Sequence, residues 1–300
     1  MSPETRTRLA EVARRTESHL ARAIDAETAA PERLRAAMRH AVLGGGKRLR
    51  PFLVAETARL FGVVDERPIA VGAALEALHC YSLVHDDLPA MDDDDTRRGQ
   101  PTVHKAYDEA TAILVGDALQ TLAFGLLAAP EVDPDPALRC ELVAALARAA
   151  GASGMVGGQT IDLAAEGRFG AVSFDAGTIR RLQAMKTGAL FAFAVEAGAR
   201  LGRAEPAASA DLAVYAARLG LAFQIADDLL DAEGDAATVG KATGKDAAAG
   251  KATLVGLMGL DGAKAALATT VAEGEAALAR HGGRADGLVE IIRFVAGRRS

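Results

Sequence analysis

A chain of 300 residues that is 50% hydrophobic and 25% charged has material for a large core and too much of it for intrinsic disorder. Its net charge of −6 excludes a general attraction to nucleic acid, and the basic N-terminal residues Arg6, Arg8, Arg14, Arg15 and Arg22 alternate with Glu and Ala as on a solvated helix face. Two cysteines, Cys80 and Cys140, supply neither a metal spacing nor a disulfide framework and are expected to be small buried hydrophobes.

The N-terminus shows no apolar core flanked by a cleavage site, and apolar stretches such as 189–195 are too short to span a bilayer, so a cytoplasmic protein is expected. Apolar residues recur at helical spacing over 9–24, 69–84, 110–127, 138–149, 179–199, 212–230 and 288–295. Breaks carrying Gly, Pro and Asp fall at 62–68, 130–136, 202–206 and 282–287, and alternating β-branched stretches are nearly absent. The expected architecture is all-α, roughly ten helices in a single large bundle. With no linker and no internal repeat, residues 1–300 are expected to form one domain.

Two acidic clusters stand out. From Asp86 to Asp95 the chain reads Asp-Asp-Leu-Pro-Ala-Met-Asp-Asp-Asp-Asp, six acidic residues in ten. Pro89 disfavours helical geometry at Leu88, so Asp86 and Asp87 close a helix and Asp92 lies just beyond the bend. Carboxylates crowded at a helix C-terminus repel one another and oppose the macrodipole, and a cation relieves both costs. Farther on, Asp227, Asp228 and Asp231 lie in a strongly helical segment, with Asp227, Asp231 and Gln224 on one face. Either cluster alone reads first as a solvated acidic surface; the pair is better explained as two cation sites. Oxygen ligands without Cys or paired His suit magnesium or calcium rather than zinc, and magnesium usually completes its shell with substrate phosphate.

Bare carboxylates repel a diphosphate, so metal must bridge them. Cationic residues in Gly-rich settings accompany the clusters: Gly44-Gly45-Gly46-Lys47-Arg48-Leu49-Arg50-Pro51, Arg97-Arg98-Gly99, Lys186-Thr187-Gly188 and Gly240-Lys241. None is a Walker A loop, and Gly44 to Gly46 read equally as a helix stop after Leu43.

In this order, the Gly45–Pro51 segment, His79, the stretch from Asp86-Asp87 to Arg97-Arg98-Gly99, Gly158-Gln159-Thr160-Ile161-Asp162-Leu163, Lys186-Thr187-Gly188 and Phe223-Gln224 to Asp231 resemble the motifs of the all-trans polyprenyl diphosphate synthase family, in its short-chain bacterial farnesyl diphosphate synthase (geranyltranstransferase) branch. The resemblance implies a homodimer of helical subunits, each with a central cavity under the two aspartate helices. It implies Mg2+ held by Asp86, Asp92 and Asp227, with Asp87, Asp228 and Asp231 nearby, and an allylic diphosphate touched by Arg97, Lys186 and Lys241. Lys47, Arg50, His79 and Arg98 would hold isopentenyl diphosphate, and Lys251 matches a further substrate position. The carbonyl oxygens of Lys186 and Gln224 and the Thr187 hydroxyl would stabilise an allylic cation, with released diphosphate as the final base. Tyr81, with Ser82 beside it and Pro89-Ala90 between the aspartates, would set a fifteen-carbon product.

After Gly250-Lys251 the branch often continues Tyr-Pro, where this chain has Ala252-Thr253, which puts the local loop in question. Arg298 and Arg299 read as a solvated tail rather than a cover for the site. The competing readings are a geranylgeranyl diphosphate synthase, a class I terpene cyclase, and a non-catalytic partner subunit. The basic set at Lys47, Arg50, His79 and Arg98 argues against a cyclase, and Lys186 with Gln224 argues against a scaffold.

Overall fold

The computed structural model describes residues 1–170, 175–233 and 254–297, and these are helical apart from turns and one two-residue hairpin. In chain order the elements are α1 (Pro3–Ala26), α2 (Glu32–Leu43), α3 (Leu49–Leu60), α4 (Arg67–Asp86), β1 (Thr96–Arg97), β2 (Gln100–Pro101), α5 (Val103–Ala106), α6 (Glu109–Ala128), α7 (Pro136–Ala150), α8 (Met155–Ala165), α9 (Ala176–Gln183), a π turn (Ala184–Gly188), α10 (Ala189–Leu201), α11 (Pro206–Glu233), α12 (Leu254–Ala277), a 3-10 turn (Ala279–Ala285) and α13 (Asp286–Ala296). The all-α expectation holds.

The chain divides into two compact units: Pro3–Leu146 with Arg200–Arg203, and Met1–Ser2 with Ala147–Ala199 and Ala204–Ser300. The first is built around α4, which packs against α1, α2, α3 and α6. Leu75, Leu78, Ala73, Ala74, Ala77 and Val71 of α4 are fully buried, so the helix is apolar nearly all round until it reaches its acidic end. Pro68 sits in its first turn, where a missing N–H costs nothing. At its start, buried Asp133 receives Arg67 at 3.1 Å and Arg203 at 3.3 Å.

The second unit is built around α11, which packs against α12, α13, α9 and the π turn. Ile225 and Leu229 of α11 join Ile179 and Ala263 in an apolar cluster, and buried Tyr215 donates its hydroxyl to Leu288 O at 2.8 Å. Each unit therefore centres on a long buried helix, and each helix carries one aspartate cluster at or near its C-terminal end.

Two expectations are corrected. Cys80 is buried, and burial pushes its thiol up to about 12, but Cys140 is exposed: α7 turns Leu138, Leu142 and Leu146 inward, and position 140 falls on the opposite side of the helix. Finally, α6 is long and apolar enough to cross a bilayer, yet its Ala112, Val115, Leu119, Ala123 and Leu127 are fully buried within the first unit.

Candidate active site

In the first unit, α4 ends at Asp86 with Asp87 as its C-cap. The chain then folds back so that the Asp92 N–H donates to the Asp86 carbonyl at 2.8 Å, and this closure brings the two aspartates together across the Pro89 turn. Asp86 is half-buried and Asp92 exposed, which leaves oxygen ligands facing an accessible side. Asp87 differs: it is buried, and Arg97 donates to its Oδ1 through Nε at 2.6 Å while reaching Asp94 at 3.4 Å. Burial pushes the Asp87 carboxyl up against the pull of Arg97.

Arg97 and Arg98 ride on the β1–β2 hairpin, whose Arg98-Gly99 corner has φ of 53° and 77°. Arg98 reaches back to donate to the Gly45 carbonyl. A Cβ on Gly46 would lie 2.6 Å from the Arg98 Cζ, so the Gly-rich segment both ends α2 at Leu43 and seats a guanidinium. Beside it, Arg48 turns inward to Glu76 at 2.7 Å and Glu17 at 3.0 Å, while Lys47 stays exposed and Arg50 half-buried.

His79 gathers this basic set. Burial, and then Arg50, Arg98, Arg97 and Arg48, hold its imidazole well below the usual 6.5, so it is neutral near pH 7. Four of the residues expected at the substrate site, His79, Arg50, Arg97 and Arg98, thus share one electrostatic neighbourhood. Tyr81 is buried two residues on, edge-on to the His85 ring at 5.7 Å, and Ser82 donates to the His79 carbonyl at 2.8 Å. Asp86, Asp92 and the Pro89 bend were legible; the Asp87–Arg97 pairing had no spacing signal.

In the second unit, Lys186 and Thr187 lie on the π turn, whose i→i+5 pattern widens the helix and takes its carbonyls out of the usual ladder. The turn is hemmed in by α8 and α11. A Cβ on Gly158 would fall 2.2 Å from the Lys186 backbone nitrogen, and one on Gly220 would fall 3.0 Å from the Gly188 Cα. Lys186 Nζ meets buried Asp162 at 2.6 Å. On α11, Gln224, Asp227 and Asp231 are half-buried along one face, above buried Ile225 and Leu229. Gln183, buried just before the π turn, donates to Asp228 Oδ2 at 3.4 Å. Asp162 lay within a quoted motif without an assigned partner, and Gln183 was missed, because nothing in its neighbours marks it.

Lys241, Lys251, Arg298 and Arg299 lie outside the described residues. The remaining candidates fall into two sets. One is a metal-suited aspartate pair beside a basic pocket; the other is a second aspartate face in the unit that also holds a lysine-bearing π turn.

A family model for polyprenyl synthetase matches residues 31–280. Farnesyl diphosphate synthase of Escherichia coli (strain K12) is 51% identical over 232 residues, 76% of this chain and 75% of its own. A probable farnesyl diphosphate synthase of Sinorhizobium fredii is 46% identical over 285 residues, 94% of this chain and 84% of its own. Among solved structures, an FPP/GFPP synthase from Zymomonas mobilis is similar at TM-score 0.89 and 46% identity, covering 99% of this chain and 100% of that one. The match extends over both units and all of the motifs named above, and the chain belongs to the polyprenyl synthetase family of prenyltransferases.

Proposed function

We propose that this enzyme condenses isopentenyl diphosphate with dimethylallyl or geranyl diphosphate to give farnesyl diphosphate, and that both units work as one synthase domain. The observation that carries the reading is the basic neighbourhood of His79, Arg50 and Arg98 beside the Asp86–Asp92 turn: it offers a diphosphate a seat that needs no metal, next to one that does.

The donor set fits magnesium, being all oxygen and accessible at Asp86 and Asp92, with a second face at Asp227, Asp231 and nearby Asp228. When bound, magnesium supplies charge neutralisation for the diphosphate as the allylic carbon–oxygen bond breaks. Arg97, fixed by Asp87, and Lys186, fixed by Asp162, hold cationic groups ready for that diphosphate without a search over rotamers. Lys47, Arg50, Arg98 and neutral His79 seat isopentenyl diphosphate, with His79 donating one N–H. Carbonyl dipoles of the π turn at Lys186, the Gln224 carbonyl and the Thr187 hydroxyl stabilise the allylic cation, where an anion would quench it. The isopentenyl double bond attacks, and released diphosphate accepts the final proton. Lys241 and Lys251 complete the proposed substrate contacts.

Tyr81 lies five residues before Asp86, about 7.5 Å along the helix, with Ser82 beside it, so its ring forms the floor that limits the tail. We place the enzyme in the cytoplasm as a homodimer; Ile113 and Leu114 of α6, 46% and 57% exposed, supply an apolar patch for the second copy. The test is product sizing after incubation with isopentenyl and dimethylallyl diphosphates plus magnesium. Wild type stops at fifteen carbons, and Tyr81→Ala runs to twenty or more. Identical product distributions would remove Tyr81 from the reading, and no condensation would remove the reading itself.

A further inference from the structure

Arg97 and Arg98 are carried by a largely exposed hairpin that packing alone does not fix. A cavity of about 40 Å3 lies between it and helices α2 and α4, lined by His40, Gly44, Asp87, Arg97, Arg98 and Pro101. Its ladder is short: Thr96 faces Pro101 and Arg97 faces Gln100. An isolated ribbon has little stability of its own, so this one takes its position from contacts with its surroundings.

Two of those contacts come from one end of α2. Just past the helix, the Gly45 carbonyl accepts from Arg98. One turn before the helix ends, His40 Nε2 lies 2.8 Å from the Pro101 carbonyl oxygen. A carbonyl only accepts, so the imidazole carries a proton on Nε2 and donates it. The Tyr107 ring stands edge-on to His40 at 6.0 Å and steadies the imidazole. Pro101 has no N–H, which leaves its carbonyl as the polar backbone group by which the return strand can be held. The corner of the hairpin and its foot are thus both tied to α2.

We propose that His40 is a positioning residue for isopentenyl diphosphate, an inference that rests on the basic pocket proposed above. Its bond to Pro101 sets how far the hairpin stands from α2, and with it the place of Arg98 against the Gly-rich segment that leads to Lys47 and Arg50. The fit there is close, since a Cβ on Gly46 would lie 2.6 Å from the Arg98 Cζ. Without the His40 N–H the foot of the hairpin can swing over the cavity, and Arg98 is no longer preorganised for a diphosphate. Arg97 is held separately, by Asp87 at 2.6 Å, so the allylic substrate is spared.

The test is two-substrate kinetics and melting of the full chain as wild type, His40→Phe, His40→Gln and Arg98→Ala. His40→Phe keeps a ring beside Tyr107 and removes the donor. It should raise KM for isopentenyl diphosphate about three- to tenfold, the range for one neutral hydrogen bond, with KM for geranyl diphosphate, kcat and melting temperature near wild type. His40→Gln retains an N–H donor and should restore most of the loss. Should His40→Phe fail to fold, His40→Leu, which also lacks the donor, decides instead. The inference is overturned if the donor-less variant leaves that KM unchanged or raises both KM values equally, or if His40→Gln rescues nothing. Arg98→Ala separates the two levels: if it raises KM for isopentenyl diphosphate while His40→Phe does not, the pocket stands and the role of His40 falls. If Arg98→Ala also leaves that KM unchanged, the pocket is misassigned and the role of His40 falls with it.

Discussion

Lys47, Arg48 and Arg50 share one basic segment, but only Arg48 is drawn inside, where Glu76 and Glu17 take its guanidinium. Removing one partner of a buried ion pair strands the other, so Arg48→Met should cost about 3–5 kcal/mol of stability. Arg50→Ala should leave the melting temperature nearly unchanged and raise KM for isopentenyl diphosphate more than for the allylic substrate. Denaturant titration and two-substrate kinetics on both variants check the contrast; equal effects on the two KM values would contradict the division of the basic residues. His79 gives a pH signature. Its folded pKa lies well below 6.5, so as pH falls through 6.5 the unfolded chain takes up protons that the folded chain refuses, and stability declines toward acid. His79→Asn should flatten the acid side of a melting-temperature profile while leaving the alkaline side alone.

At the scale of elements, the π turn and its glycine neighbours decide where Lys186 stands. An added methyl at Gly158 meets backbone rather than a yielding side chain, so Gly158→Ala must displace the turn. The expected result is a loss of about 1–3 kcal/mol by overpacking, with kcat falling more than KM rises as the Lys186 carbonyl moves. Unchanged kcat in a folded variant would mean that the turn does not carry the dipoles assigned to it. Helices with a clean apolar stripe or a Pro/Gly boundary, such as α1, α4, α6 and α11, were legible because periodicity and breakers record burial directly. The helix α3 was not, since Phe52, Leu53, Val54, Thr57, Ala58 and Leu60 are all buried and leave no polar face to set a period. Both aspartate clusters were legible from local spacing. The Lys186–Asp162 bond joins residues 24 apart, and Gln183–Asp228 joins residues 45 apart, so only folding reveals these pairs.

At the scale of the whole molecule, each unit alone supplies one aspartate cluster, and the family match runs across both. The proposed homodimer is tested at the exposed patch on α6: sedimentation of the wild type as a dimer and of Leu114→Asp as a monomer is expected, and a monomeric wild type or an unchanged variant would contradict that proposal. The central claim is that the enzyme joins two diphosphates, with one held by metal and aspartate and the other by the basic pocket around His79. The measurement that reaches it most directly is the rate of diphosphate release from geranyl diphosphate with magnesium, in the presence and absence of isopentenyl diphosphate. The account predicts rapid release only when both substrates are present, with a loss of about a hundredfold or more in Asp227→Ala. Equal release without isopentenyl diphosphate would contradict it and mark the enzyme as one that ionises a single prenyl diphosphate.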